Sequence, residues 1–85
     1  MLKNFENWLL ENKYSALTAA DYMGRIERLC RNNKYTVEHL IKNISVILQE
    51  YEKNGKKYSF GKRSHYSVFN ALKRFQTFLA ESKLV

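Results

Sequence analysis

Residues 68–79 read Val-Phe-Asn-Ala-Leu-Lys-Arg-Phe-Gln-Thr-Phe-Leu, and this stretch decides the fold. Its apolar side chains recur three or four positions apart, which is the period of an amphipathic helix and not the alternation of a strand. The inward positions are Val68, Leu72, Phe75 and Leu79, flanked by Phe69, Ala71 and Phe78. We therefore predict a helix over about 64–82 that buries one face in a core.

Three upstream segments repeat the same helical period, and we predict helices over 2–11, 16–31 and 37–53. Ser15 and Thr36 precede the second and third segments, where a hydroxyl can cap the first free N–H groups of a helix. The apolar stripes are Leu2, Phe5, Trp8 and Leu9; then Ala19, Tyr22, Met23, Ile26, Leu29 and Cys30; then Val37, Leu40, Ile41, Ile44, Ile47, Leu48 and Tyr51. The stop signals are Arg31-Asn32-Asn33-Lys34 and Lys53-Asn54-Gly55, and residues 55–62 read as a loop.

The chain has 85 residues, of which 45% are hydrophobic. This length supports one core and leaves no room for a second. Four amphipathic helices with short connections predict an all-α fold, a small four-helix bundle, with residues 1–85 as a single domain. The lone cysteine, Cys30, excludes a disulfide framework and fits a core position.

Positive charge is concentrated at one end of the chain. The net charge is +7, and residues 55–85 account for +6 of it, with seven basic side chains against Glu81. No acidic residue lies between Glu52 and Glu81. Such a block is either a self-repelling solvated surface or the contact surface of a polyanion, and its one-sidedness favours the polyanion.

The outer face of the fourth helix carries side chains suited to duplex DNA. Lys and Arg bind phosphate, Arg can also bind guanine through two hydrogen bonds, and Asn can pair with adenine. The predicted contacts on this face are Arg63, Tyr66, Asn70, Lys73 and Arg74, with Thr77 beside them. Lys56, Lys57 and Lys62 in the preceding loop are predicted to follow the phosphate backbone.

The second helix offers further candidate contacts. Its outward positions include Asp21, Gly24, Arg28 and Arg31, with Thr18 and Arg25 along one flank. The arginines can equally be solvated residues in the pairs Asp21–Arg25 and Glu27–Arg31. Glycine in mid-helix costs about 1 kcal/mol relative to alanine, so Gly24 either permits close approach of DNA or a helix, or is a tolerated substitution.

The sequence supports no catalytic or cofactor-binding motif. Gly55 and Gly61 resemble a phosphate-binding loop, but five residues lie between them instead of four, and Lys62 is followed by Arg63. We predict that His39 is a surface residue and that His65 packs against the core, caps the helix or contacts DNA. We predict a chain that is not an enzyme and needs no metal or cofactor.

Hydropathy indicates a cytoplasmic protein without membrane contacts. No apolar run approaches the roughly 20 residues that a spanning helix needs. The N-terminal sequence Met-Leu-Lys-Asn-Phe has no apolar leader followed by a cleavage site. Binding to acidic membranes is disfavoured because the basic block is not paired with an exposed apolar face.

The order and spacing of these residues resemble a known family. Phe5-x2-Trp8-Leu9 is followed by Ser15-x2-Thr18-x3-Tyr22-x3-Ile26-x2-Leu29, by Val37-x2-Leu40, and by Asn70-Ala71-Leu72-Lys73-Arg74-Phe75-x2-Phe78-Leu79. Over nearly its whole length the chain is similar to the N-terminal core-binding domain, or SAM-like domain, of tyrosine recombinases and phage integrases.

The resemblance implies a helical bundle that grips one side of a recombination site in double-stranded DNA. A C-terminal catalytic domain would hold the other side and carry the nucleophilic tyrosine, so no tyrosine of this chain is assigned that role. By match to family positions, Thr18, Arg25, Lys73 and Arg74 would face DNA. The resemblance does not specify the target site, or integration as opposed to excision.

A second interpretation needs no nucleic acid. A small helical adaptor or regulator would bind another protein, or a second copy of itself, through exposed apolar residues. Leu10 and Leu17 lie off the inward stripes and are the candidates. The DNA-binding interpretation predicts instead that the isolated domain is a monomer.

Overall fold

The computed structural model describes residues 2–52 and 65–82, and for residues 65 and 66 it describes the backbone alone. Within these ranges the chain forms five helices and no strand. The helices are α1 Leu2–Glu11, α2 Ala16–Asn33, α3 Val37–Lys42, α4 Ile44–Tyr51 and α5 His65–Glu81. The predicted all-α class is confirmed, and the bounds of α1 are those expected from its apolar stripe.

The connection from α1 to α2 is a left-handed helix end followed at once by a cap. Lys13 has φ 70°, and the Tyr14 N–H donates to the Leu9 carbonyl at 3.1 Å. This bond closes a Schellman motif, which satisfies carbonyls that the last turn would otherwise leave free. The Ser15 hydroxyl then accepts from the Thr18 N–H at 3.1 Å, so the predicted cap of α2 is confirmed.

The connection from α2 to α3 repeats this turn. Lys34 has φ 57°, the Tyr35 N–H donates to the Cys30 carbonyl at 2.8 Å, and Thr36 Oγ1 accepts from the His39 N–H at 3.0 Å. The sequences Asn-Lys-Tyr-Ser at 12–15 and Asn-Lys-Tyr-Thr at 33–36 are nearly identical. The same four residue types therefore encode the same local geometry twice, a repeat that the helical period does not reveal.

Helix α2 extends two residues beyond its predicted end at Arg31. The two asparagines predict a turn, but Asn33 remains helical and its side-chain amide donates to the Leu29 carbonyl at 2.8 Å. The left-handed position passes to Lys34 instead. The end of the helix is thus set by the Schellman hydrogen bond to Tyr35 and not by asparagine preference.

The predicted single helix over 37–53 is wrong, because it is broken at Asn43. That residue has φ −115° and ψ 21°, and it ends α3 and precedes α4. Its side-chain amide donates to the His39 carbonyl at 2.9 Å, and its backbone N–H donates to the same carbonyl at 3.1 Å. Helix α4 also ends earlier than predicted, at Tyr51. The proposed stop at Lys53-Asn54-Gly55 and the 55–62 loop lie outside the described residues.

Helices α2 and α5 form the centre of the molecule. Helix α2 packs against both α1 and α5, α4 packs against α5, and α3 adjoins α4. The principal extents are 33 × 25 × 21 Å, and the radius of gyration of 12.1 Å is that of a compact globule. The buried residues come from all five helices: Phe5, Leu9, Ala19, Ile26, Leu29, Cys30, Leu40, Ile44, Ile47, Leu48, Tyr51, Ala71, Leu72, Phe75, Phe78 and Leu79.

An aromatic cluster joins the first helix to the last. The Phe5 ring meets the Phe75 ring edge to face at 5.1 Å, and it lies 5.5 Å from the Phe78 ring. Trp8 covers Phe78 at 5.8 Å between ring centroids. Phe5 and Phe75 are completely buried. Because α1 and α5 are far apart in sequence, this cluster closes the fold.

Two further observations bear on the sequence predictions. Cys30 is buried on the inner side of α2, as expected for a core residue, and desolvation raises the pKa of its thiol. Within residues 2–52 and 65–82, no helix combines the length and the apolar character that spanning a bilayer requires.

Candidate nucleic-acid interface

The outer face of α5 presents one polar strip to solvent. Asn70, Lys73, Arg74 and Thr77 are all exposed, while the intervening Leu72 and Phe75 are completely buried. Asn70, Arg74 and Thr77 stand at i, i+4 and i+7, so they lie on one side of the helix. The structure therefore brings together, on the solvent side, the described part of the predicted α5 contact set.

Local contacts hold this strip in place. The Thr77 hydroxyl donates to the Lys73 carbonyl at 3.1 Å, which keeps its side chain against the helix. The Lys73 ammonium lies 5.9 Å from the centre of the half-buried Phe69 ring. A cation over an aromatic face is attracted to it and still keeps its outer side available to an anion.

The strip also contains an acid, Glu81, whose charge is engaged elsewhere. Glu81 stands seven residues after Arg74 and so lies on the same side of α5. Its carboxylate accepts a hydrogen bond from Trp8 Nε1–H at 3.0 Å. This contact directs the carboxylate toward α1. Among the described residues, the structure gives Arg74 no acidic partner within 4.0 Å.

On α2, Arg25 is already paired. Its Nε–H donates to Asp21 Oδ2 at 2.9 Å, and the Arg25 side chain is 24% exposed against 44% for Asp21. The predicted pair Asp21–Arg25 is thus confirmed. A carboxylate at this distance partly neutralises the guanidinium, so an approaching phosphate would compete with Asp21.

Arg28 is arranged differently. Its side chain is exposed and folds back over Gly24, so a Cβ added to Gly24 would lie 3.3 Å from Arg28 Nη1. The second predicted pair, Glu27–Arg31, is absent from the ion pairs of the described residues, and both side chains are exposed. Arg28 and Arg31 are therefore the cations of α2 that have no carboxylate partner in the described ranges.

Thr18 contributes to the start of α2. Its Oγ1 accepts from the Ser15 hydroxyl at 3.0 Å, while its backbone N–H donates to Ser15 Oγ. The side chain is half-buried. These bonds assign Thr18 a capping role in the structure, and a contact with DNA would have to share its hydroxyl.

For part of the predicted site, the structure describes no side chain. This part comprises the loop cations and the first side chains of the last helix: Lys56, Lys57, Lys62, Arg63, His65 and Tyr66. The described candidates are consequently those of α2 and of α5 from Ser67 onward.

Other features of the surface are apolar or aromatic. Leu17 is 83% exposed, Val46 is 58% exposed and Leu10 is 43% exposed. His39 is exposed, as predicted, and its ring stacks on Tyr35 at 4.7 Å. In the described ranges, no three His, Cys, Asp or Glu side chains come close enough to hold a metal ion.

Sequence reasoning missed two contacts and one exposed residue. Helical spacing places Glu81 on the polar strip of α5. Its hydrogen bond to Trp8 joins residues 73 positions apart, so no local sequence pattern predicts it. The contact of Arg28 with Gly24 could have been predicted from the sequence, because the two residues are one helical turn apart. Val46 interrupts the apolar period of α4 and could have been identified from that interruption.

Taken together, the described surface offers two kinds of group to a partner. Arg28, Arg31, Lys73 and Arg74 are exposed cations that no carboxylate pairs with in the described residues, and Asn70 adds an exposed amide. Such a set can bind phosphate oxygens and base edges.

Comparison of the chain with protein-family models, with curated proteins and with solved structures found no match.

Proposed function

We propose that this chain is a DNA-binding module of the core-binding type found in tyrosine recombinases. In this proposal it grips duplex DNA through α5 and α2 and supplies affinity and orientation, while a separate catalytic domain performs strand exchange. The chain itself carries out no chemical step and requires no metal or cofactor.

One observation carries the proposal: Asn70, Lys73 and Arg74 share the solvent side of α5, while Leu72, Phe75 and Leu79 on its other side are completely buried. A helix anchored by its core face holds its outer side chains at fixed spacing. Fixed cations with a neighbouring amide are what a nucleic-acid surface needs, since the cations bind phosphate and the amide can read a base.

The arrangement of helices supports the same proposal. Helices α3 and α4 are separated only by Asn43, so they count as one broken element between α2 and α5. The described residues then form four helical elements, as the resemblance to the core-binding domain requires. The charge distribution adds support, because residues 55–85 carry most of the net positive charge.

Salt-dependent binding tests the proposal directly. If about five phosphates are contacted, the logarithm of the association constant should fall against the logarithm of salt concentration with a slope of about −4 to −5. Fluorescence anisotropy with a labelled 20-base-pair duplex, from about 50 to 250 mM salt, measures this slope. A slope near zero, or no binding at about 50 mM salt, would contradict the proposal.

A double variant assigns the binding to α5. Lys73→Gln with Arg74→Gln should flatten the slope by about 2 and leave the helical content unchanged, because both side chains are exposed. Lys34→Gln with Lys42→Gln is the matched control, since both side chains are exposed, lie outside α5 and have no ion pair among the described residues. Equal losses in both variants would show a diffuse charge effect and no interface on α5.

The exposed apolar residues favour a second candidate function. Leu17, at 83% exposure, is the most exposed large apolar residue of the described ranges, and Leu10 is half-exposed. A protein-interaction module would use them for a partner or for a second copy of this chain. Light scattering over a hundredfold range of concentration tests the second copy as partner, because the DNA-binding module stays a monomer and a self-associating one does not.

A further inference from the structure

The two central arginines of α2 differ in their partners among the described residues: a carboxylate pairs with one of them and not with the other. Arg25 donates to Asp21 at 2.9 Å and is mostly covered. Arg28 is exposed, and within residues 2–52 and 67–82 it has neither an ion pair nor a hydrogen bond from its side chain. An arginine without a carboxylate partner can give its full charge to a phosphate, whereas a paired one must first leave its partner.

The position of Arg28 depends on the absence of a side chain at Gly24. A Cβ built on Gly24 would lie 3.3 Å from Arg28 Nη1 and 4.0 Å from Arg28 Cζ. The shorter distance is tighter than ordinary van der Waals contact, so with alanine the guanidinium would shift outward by a few tenths of an ångström. With glycine at position 24, the Arg28 guanidinium lies close to the helix backbone.

This glycine is costly where it stands. Gly24 is in the middle of the 18-residue helix α2, where glycine is about 1 kcal/mol less favourable than alanine. Gly24 has no positive φ that would demand glycine. Among the described residues, Arg28 is the only side chain that a Cβ at Gly24 would approach within 4 Å.

We propose that Arg28 is the phosphate-binding arginine of α2 and that Gly24 is its positioning residue. The inference rests on the proposed DNA-binding function and refines it, because the resemblance to the core-binding domain points to Arg25 at this helix. Gly24 seats the guanidinium close to the helix, so that the phosphate backbone can approach α2. Asp21 keeps Arg25 in a supporting position, where it contributes little to the phosphate contacts.

The first test compares two matched charge removals. Arg28→Gln should flatten the salt slope by about 1 and weaken binding to a 20-base-pair duplex by about threefold to tenfold. Arg25→Gln removes the same charge from the same helix and should change the slope by less than about half as much. The reverse order of effects would overturn the assignment to Arg28.

The second test asks whether Gly24 acts through Arg28. Gly24→Ala should raise the melting temperature, because alanine favours the helix, and yet weaken DNA binding by about threefold. In the Arg28→Gln background, Gly24→Ala should no longer affect binding. This opposite movement of stability and affinity cannot arise from loss of folding.

Three outcomes would overturn the role of Gly24. If Gly24→Ala leaves binding unchanged, glycine is a tolerated substitution at this position. If it weakens binding equally with and without Arg28, glycine serves close approach of the backbone itself. If the wild-type chain binds no duplex DNA, the proposed function and this inference both fail, whereas normal wild-type binding with unaffected variants rejects the inference alone.

Discussion

The two faces of α5 come from one stretch of seventeen residues, yet they answer to different physical demands. Phe75 and Leu72 on the inner face are completely buried and contact other helices. Arg74 and Lys73, their immediate neighbours in the chain, are exposed. The difference teaches that a single residue step along this helix separates groups that hold the fold from groups available to a partner.

The largest expected effect comes from the inner face. Phe75→Ala removes a completely buried ring that meets Phe5 at 5.1 Å. We expect the free energy of unfolding to fall by about 3–5 kcal/mol, which is enough to unfold a domain of this size. Thermal unfolding followed by circular dichroism measures it.

The neighbouring residue is the control for that prediction. Arg74→Ala should change the free energy of unfolding by less than about 0.5 kcal/mol, because the side chain is exposed and unpaired in the described residues. If the two variants were equally destabilised, the division of α5 into a folding face and a binding face would be wrong.

An intermediate effect is expected where the two faces meet. Glu81 lies on the outer face, but its carboxylate accepts from Trp8 Nε1–H at 3.0 Å and so links α5 to α1. Glu81→Ala should lower the free energy of unfolding by about 1 kcal/mol, the usual net contribution of an exposed hydrogen bond. It should also alter the emission of Trp8, the single tryptophan of the chain.

A double-mutant cycle isolates this hydrogen bond. Trp8→Phe keeps an aromatic ring over Phe78 and removes the donor. In that background Glu81→Ala should cost nothing further. Additive losses would show that Glu81 acts through helix propensity or charge and not through the indole.

The smallest effect is confined to alkaline pH and tests the closure of the core. Burial raises the pKa of the Cys30 thiol, so the unfolded chain releases this proton at a lower pH than the folded one. The free energy of unfolding should therefore fall as the pH rises from the ordinary thiol value through the folded value. Below the ordinary value the thiol is protonated in both states and adds no slope.

Urea unfolding between about pH 7 and 10 measures this dependence, with Cys30→Ala as the control that lacks the thiol. Subtracting the two pH profiles removes the titration of lysine and tyrosine. Identical profiles would contradict a desolvated thiol and would indicate that water reaches the inner side of α2.

Much of the fold was predictable because it depends on short-range sequence patterns. The stripes of α1, α2 and α5 identify their buried faces, and Ser15 and Thr36 cap the helices that follow them. The break at Asn43 was not predictable from the stripe, since Leu40, Ile44 and Ile47 keep helical spacing across it. There Asn43 adopts φ −115° and ψ 21°, which ends α3 although the apolar period continues.

The candidate site was predictable to a smaller extent. Helical period places Asn70 and Arg74 on the solvent side of α5, and the structure has them exposed there. Sequence spacing allows the pairs Asp21–Arg25 and Glu27–Arg31 equally, but the structure contains only the first among its described residues. Which cation is paired depends on side-chain rotamers, and these are not determined by spacing.

By itself, the amino-acid sequence determined the all-α class, the inward faces of the helices, and the two Asn-Lys-Tyr-Ser/Thr turns. These features depend on period and capping, which act over a few residues. Only the tertiary structure decided that Glu81 bonds to Trp8, that Phe5 meets Phe75, and that Arg28 lies over Gly24 while Arg25 is held by Asp21. The physical reason is that such contacts depend on how the helices pack and on which rotamer each side chain adopts in the space that packing leaves.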